Sequence, residues 1–376
     1  TVTHHKSTLL IAGMFSFYNA GSGSNQSNHM YKLGPIHQGI VERGSKTGSL
    51  SYMLWPCRVG AFSVVMNKHA GNFDTTELPF SYISVQGDKS VVTPAMNLYT
   101  VGTARDSAKW PNRDRRKDDE KLDLISFDLL NPFTVQKIIE GADLLAKLHE
   151  STPKTKEFAT YKGAHINRLM LRTSKRYYEL AINVYLTKTI VEKLQNISLK
   201  SIEDIRKELS SDTNPVQNKW IDILGMIADR NTIQELILAI NNDKIKSVDE
   251  LLEAFKTIHN NYCENSYNWC LATIKNRMNI DIATISKQEL LKIVTEWKTN
   301  SIKFNNMVLK DAEKEFDQLS RIGFGIDGED DEKTADFEAI RGIYEENSFI
   351  LGIKKKTAEI ENITNSLVTK IESLPD

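Results

Sequence analysis

Two periodicities divide the chain. Between residues 41 and 65 a small or apolar residue recurs at every sixth position, Val41, Thr47, Met53, Val59 and Val65, and Ile11 and Phe17 fall in the same phase upstream. Six is neither a strand period nor the ~3.6-residue period of an α-helix. A short strand and a turn repeated every six residues, with one side chain pointing inward each time, is the hexapeptide pattern of a left-handed parallel β-helix. Gly13, Gly44, Gly48 and Gly60 suit its tight corners. The phase breaks between Gly21 and Gln38, where Gly23, His29 and Pro35 occupy the inward positions, so this stretch is expected to leave the coil as a loop. From Phe80 to Thr93 two strand-like runs flank Gly87-Asp88, a hairpin signature that would cap the open end of the coil.

After residue 130 the period becomes helical. Polar caps precede apolar-periodic runs at Ser201-x-x-Asp204, Asn231-x-x-Gln234, Ser247-x-x-Glu250 and Ser286-x-x-Glu289. The pattern predicts helices over roughly 134–150, 164–196, 201–210, 217–229, 232–241, 248–278, 287–321 and 335–373. Helices this long pack as antiparallel bundles, with Tyr177, Tyr178, Tyr185, Trp220, Tyr262, Trp269 and Trp297 as core or interface. The expected fold is thus mixed β and α, segregated: the C-terminal turns of a left-handed parallel β-helix, then a mostly all-α helical bundle. Its divisions are β-helix turns over 1–76, a capping hairpin over 77–103, a charged linker over 104–130 and the bundle over 131–376. The sequence starts without Met and strand-like residues begin at Leu9, so it reads as a piece of a longer chain.

Composition narrows the function classes. The 48 Lys+Arg against 49 Asp+Glu leave a net charge of −1, which argues against a nucleic-acid or acidic-membrane binder working by bulk electrostatics. The segment 104–123 has seven basic and six acidic side chains, so its acids offset its bases. Three cysteines are too few for a disulfide framework, which points to the cytoplasm. No apolar run reaches the ~20 residues of a membrane span.

Three motif matches fail on context. Gly323-Phe-Gly325-Ile-Asp-Gly328 follows a helical pattern and precedes four acids that would repel phosphate. The run Gly39 to Thr47 resembles a P-loop but has an extra residue before Lys46 and no helix after it. Cys263 and Cys270 lack a partner pair for a metal, so no metal site is assigned, and no cofactor is identified.

One constellation carries chemistry. Asn25, Asn28, His29, Lys32, His37, Gln38, Arg43, Lys46, Tyr52, Trp55, Arg58, Lys68 and His69 crowd ligand-capable side chains into 45 residues, with Glu42 the acid among them. On an 18-residue turn Asn25 would lie above Arg43, His37 above Trp55, and Lys32 two rungs from Lys68, forming a wall of cations, amides and an aromatic plate. Such a wall suits an anionic sugar-like ligand: Lys and Arg for phosphate, amides for hydroxyls, an aromatic ring for the sugar face. The competing reading is a solenoid surface whose polar residues satisfy backbone groups.

The segment from Ser27-Asn-His-Met-Tyr-Lys-Leu-Gly34 through His37-Gln38, Glu42-Arg-Gly-Ser-Lys46, Ser51-Tyr52, Leu54-Trp-Pro56, Phe62-Ser63 and Lys68-His69 to Leu78-Pro-Phe-Ser-Tyr82 resembles an uncharacterised group of bacterial proteins. In these a left-handed β-helix precedes a helical C-terminal region, and they are often labelled by similarity as sugar-phosphate nucleotidyltransferases. The resemblance covers residues 5–105 and reaches the helical part only in general character. It implies a sugar phosphate or nucleotide sugar as ligand. Known nucleotidyltransferases of this kind carry a Gly-rich catalytic loop in a Rossmann-like domain ahead of the β-helix, and residues 1–376 hold no such loop.

Two other classes stay open. Hexapeptide acyltransferases use a His general base, a role His29 or His69 could take; a zinc site from His29, His37 and His69 ranks last. A non-enzymatic oligomeric scaffold needs no catalytic set, and on each of these readings a homo-oligomer through the helical region or the β-helix is expected.

Overall fold

In the computed structural model, residues 10–12, 19–34, 39–118, 123–211, 219–223 and 225–375 are described. Val41, Thr47, Met53, Val59 and Val65 are all buried, but the architecture around them is not a closed β-helix. The strands β1 (Leu10–Ala12), β4 (Gly39–Val41) and β7 (Arg58–Val59) form one small parallel sheet, and β3 (Asn25–His29) pairs with β6 (Tyr52–Trp55) in another. The third ladder runs parallel from β2 (Asn19–Ala20) through β5 (Lys46–Thr47) and β8 (Val64–Val65) to β9 (Tyr82–Gln86), then turns antiparallel into β10 (Lys89–Thr93).

The spacing explains why the coil does not close regularly. Lys46, Val64 and Tyr82 pair at steps of 18 residues. Asn25 instead pairs with Tyr52, 27 residues on and with a register shift, because the segment after His29 lengthens that turn. Lys68 bridges to Tyr52 after only 16.

Where the 18-residue step holds, one corner is built three times. Gly44, Phe62 and Phe80 each adopt a left-handed backbone, at φ +67°, +54° and +55°. The Phe62 and Phe80 rings stack with centroids 4.9 Å apart. The following residues, Ser45, Ser63 and Ser81, form a buried ladder in which the Ser63 amide donates to Ser45 Oγ and the Ser81 amide to Ser63 Oγ. Hydroxyls thereby satisfy backbone groups that a tight corner leaves without a strand partner.

The helical part is not segregated from these sheets either. The helix α1 (Val101–Arg113) crosses where a linker was expected, and α2 (Pro132–Ser151) starts at an Asn131–Thr134 capping box. Residues 158–167 then form a hairpin, β11 (Phe158–Tyr161) and β12 (Ala164–Asn167), and β12 joins β10 in parallel. One sheet is therefore shared between the two halves. The long helix α3 (Arg168–Gln195) and the short α4 (Ile202–Leu209) follow.

Where a helix over 217–229 was predicted, β13 (Trp220–Ile223) and β14 (Met226–Asp229) make a second hairpin. Alternation explains it: Trp220 and Ile227 enter the main core, whereas Met226 and Ala228 form a smaller core with Ile233 and Leu236. Beyond it lie α5 (Arg230–Asn241), α6 (Val248–Asn260) and α7 (Tyr262–Met278), the last two separated at Asn261. The helix α8 (Lys287–Glu313) ends in short 3-10 turns, and α9 (Asp330–Arg341) and α10 (Ser348–Glu372) complete the chain. The main core runs without interruption from Val41 to Leu374, joining sheet residues such as Val59 and Ile83 to Ile138, Tyr178, Trp269 and Trp297. No helix among the described residues is long and apolar enough to cross a membrane.

Candidate ligand-binding surface

The cluster read from the sequence separates into an interior set and an exposed set. Arg43 belongs to the interior. It sits in the turn after β4 and its side chain is fully buried; Nη2 donates to the carbonyls of Ser126 and Gly225 at 2.8 and 2.9 Å, and Nε lies 3.1 Å from Asp222 Oδ2. Beside it, Lys137 Nζ donates to Glu42 Oε1 at 2.7 Å, and the Ala61 amide donates to Glu42 Oε2. Burial pushes the Glu42 carboxyl up, lowers Arg43, and carries Asp222 to about 6 despite the neighbouring guanidinium. These four charges are occupied with one another, so Arg43 is withdrawn from any surface wall.

Trp55 is likewise interior. Its ring covers Gly39, where a Cβ would fall 1.9 Å from the indole, so it offers no exposed plate to a sugar. His69 is buried with both ring nitrogens engaged: Nε2 is 2.9 Å from the Met66 carbonyl and Nδ1 is 2.9 Å from Ser90 Oγ. A carbonyl only accepts, so Nε2 carries the proton and Nδ1 accepts from the Ser90 hydroxyl. Burial lowers the imidazole pKa, which keeps it neutral. The Ser–His pair has the spacing of a nucleophile and its base, but it faces the Phe73 ring and the interior, away from an acceptor. Lys46 is held by Asp106 of α1, which also lies 3.3 Å from Lys109.

Of the rest, Lys32, Arg58 and Lys68 are exposed and Tyr52 is half-buried, while the side chains of Asn25, Asn28 and His29 lie outside those described. Lys68 Nζ stands 5.1 Å from the centroid of the Tyr52 ring, and the two residues are neighbours across the ladder. On the other side of Tyr52 the register places Asn25, with Asn28 beside Leu54 and His29 beside Trp55. The pairings differ from the expected Asn25–Arg43 and His37–Trp55 because of the longer first turn. Arg58 lies around the corner, half exposed and 4.0 Å from Asp74, and Lys32 is exposed in the bend after β3. His37 and Gln38 lie outside the described residues.

Asn67, next to Lys68, adopts φ +69° and accepts a hydrogen bond from the Val85 amide through Oδ1, which fixes the corner carrying the lysine. Ser90, Lys137 and Asp222 were not anticipated; each meets its partner across a sequence distance that leaves no local pattern. Among the described residues no three His, Cys, Asp or Glu side chains gather to hold a metal ion.

At the surface the exposed Lys68 thus sets a cation over the half-buried Tyr52 ring, while the interior charges clamp the sheets to the helices. Residues 1–149 match the family model of a domain of unknown function, DUF4954, and residues 201–371 match that of a second, DUF6819. No curated protein and no solved structure gives a significant match to the chain.

Proposed function

We propose that the protein binds an anionic, sugar-like small molecule, a sugar phosphate or nucleotide sugar, on the ladder row of Tyr52 and Lys68, where Asn25 is next to Tyr52 in the register. The observation that carries this reading is Lys68 Nζ poised 5.1 Å from the Tyr52 ring centroid. A sugar ring packs against the part of the half-buried Tyr52 ring that reaches solvent while the exposed Lys68 ammonium takes the phosphate. A nucleotidyl- or acyl-transfer step gains no support from His69, whose two nitrogens are committed inside the protein. Three unpaired cysteines agree with a cytoplasmic setting.

The test is a thermal-shift panel of sugar phosphates, nucleotide sugars and acyl-CoA on the wild type and on Lys68→Ala and Tyr52→Ala. A ligand at a hundred times its Kd stabilises by about 2.7 kcal/mol, a shift of several degrees. A shift with sugar phosphates that both variants abolish supports the site. A shift with acyl-CoA alone, or one indifferent to both substitutions, removes it.

A second reading, a non-enzymatic scaffold that self-associates through its helices, draws on α5 and α6. There Ile237, Leu238, Ile240 and Val248 stand exposed. A monomeric mass by light scattering at high concentration would dismiss it.

A further inference from the structure

The lobe formed by α9 and the turns on either side of it, residues 315–346, presents apolar side chains outward without need. Leu319 and Ile322 are each 75% exposed, Ile326 81% and Ile340 71%. They belong to one small unit. Phe337 of α9 packs edge-on against Phe316 and Phe324, with ring centroids 6.3 and 5.2 Å away. The Gly325 amide donates to Asp336 Oδ2 at 2.8 Å, which ties the turn carrying Ile322 and Ile326 to the helix carrying Ile340. The aromatic residues satisfy the interior of the lobe, and the isoleucines are left over.

The charge around them is one-sided. Residues 315–346 hold eleven Asp and Glu against three Lys and Arg, in a chain whose total charge is near balance. All three bases are engaged within the lobe: Arg341 with Glu315, Lys333 with Asp330, and the Arg321 guanidinium over the Phe337 ring. Asp327, Glu329, Asp331 and Glu332 stand exposed in the turn and first turn of α9.

This charge selects the occupant. A second copy meeting the same face about a two-fold axis would set acidic lobe against acidic lobe. A lipid surface or a nucleic acid carries the same sign and is repelled as well. A polypeptide segment bearing both apolar and basic side chains meets both features, its apolar face covering the isoleucines and its Lys or Arg pairing with the acidic rim. We infer that this lobe is a docking surface for a basic amphipathic segment of a partner protein.

A dye-labelled synthetic Leu/Lys amphipathic helix is the probe, titrated into the full chain by fluorescence anisotropy beside a Leu/Glu helix and a faceless scramble of the Leu/Lys peptide. The expected result is binding of the Leu/Lys helix alone, weakened at least about tenfold by Ile322→Ser/Ile326→Ser/Ile340→Ser and weakened also by Asp331→Asn/Glu332→Gln. Those positions are exposed, and an unchanged melting curve verifies that the variants fold. No binding, equal binding of the Leu/Glu helix, or full retention by the triple serine variant overturns the inference. So does self-association of the wild type that the triple variant abolishes, which would assign the face to a second copy.

Discussion

The Arg43 guanidinium, reaching out of the turn after β4, meets the Asp222 carboxylate of the β13–β14 hairpin at 3.1 Å inside the protein. Each residue lies in a different one of the two segments matched by family models, so this ion pair is a covalently remote joint between them. Desolvating two charges is costly, and the two backbone carbonyls that Arg43 also engages help to offset that cost.

Arg43→Ala leaves Asp222 buried without its partner, and a loss of about 3–5 kcal/mol is expected in urea denaturation. Replacing both residues together, Arg43→Met with Asp222→Leu, removes the uncompensated charge, so the double variant should lose less than the sum of the single ones. Additive losses in that double-mutant cycle would mean that the two side chains do not act as a pair.

The pH dependence of stability should contain two opposed contributions. His69 has its pKa lowered by burial, so as pH falls through the ordinary value of 6.5 the unfolded chain takes up a proton that the folded one resists, and stability declines. Asp222 is raised to about 6 by burial, so on acidification the folded state takes its proton first and gains stability until the unfolded carboxyl titrates near 3.8. His69→Gln should therefore flatten the loss between neutral pH and about 5, and Asp222→Asn should steepen it. Melting curves across that range for both variants decide the signs.

Gly39 is fixed by what lies over it. A Cβ there falls 1.9 Å from the Trp55 ring, so in a filled core the indole and its neighbours must shift to admit it. Gly39→Ala should cost about 1–3 kcal/mol and shift the Trp emission, because the indole must move. An unchanged melting temperature and spectrum would show that the ring has room to give.

How much of this was legible depends on how far apart the interacting residues are. The six-residue interval from Val41 to Val65 marked buried positions, and Ser201, Ser247 and Ser286 each cap the helix they precede. The hairpin read around Gly87-Asp88 is β9–β10, but the architecture drawn from the six-residue interval was too regular, since ladder steps of 16 and 27 residues leave no trace in the phase of five residues. Asn231 was read as a cap, yet Asp229 performs that role, because the residues before it are a strand and not a helix. Trp220 to Asp229 is apolar enough for either state, and only the two cores on its two faces decide. For the site, charge density was visible but burial was not. Nothing near Arg43 announces Asp222, and nothing near His69 announces Ser90, so which cations face solvent emerges only from the tertiary pairing.

The segment 201–371 should not fold when expressed alone, although a family model covers it as a unit. Its α7 and α8 contribute Trp269, Ile274, Ile293 and Trp297 to the same core that takes Ile138 and Leu145 from α2 and Tyr178, Leu186 and Ile190 from α3. Removing α2 and α3 would strip those helices of the surface that buries them, and a helix without tertiary packing is marginal in water. The small core of Met226, Ala228, Ile233 and Leu236 is too limited to compensate. The isolated segment is expected to show a broad thermal transition, bind a hydrophobic dye and lack near-ultraviolet circular dichroism. Addition of residues 123–200 should restore a cooperative transition by supplying α2 and α3. A sharp, dye-free melt of 201–371 by itself would mean that the shared core is not needed for its stability.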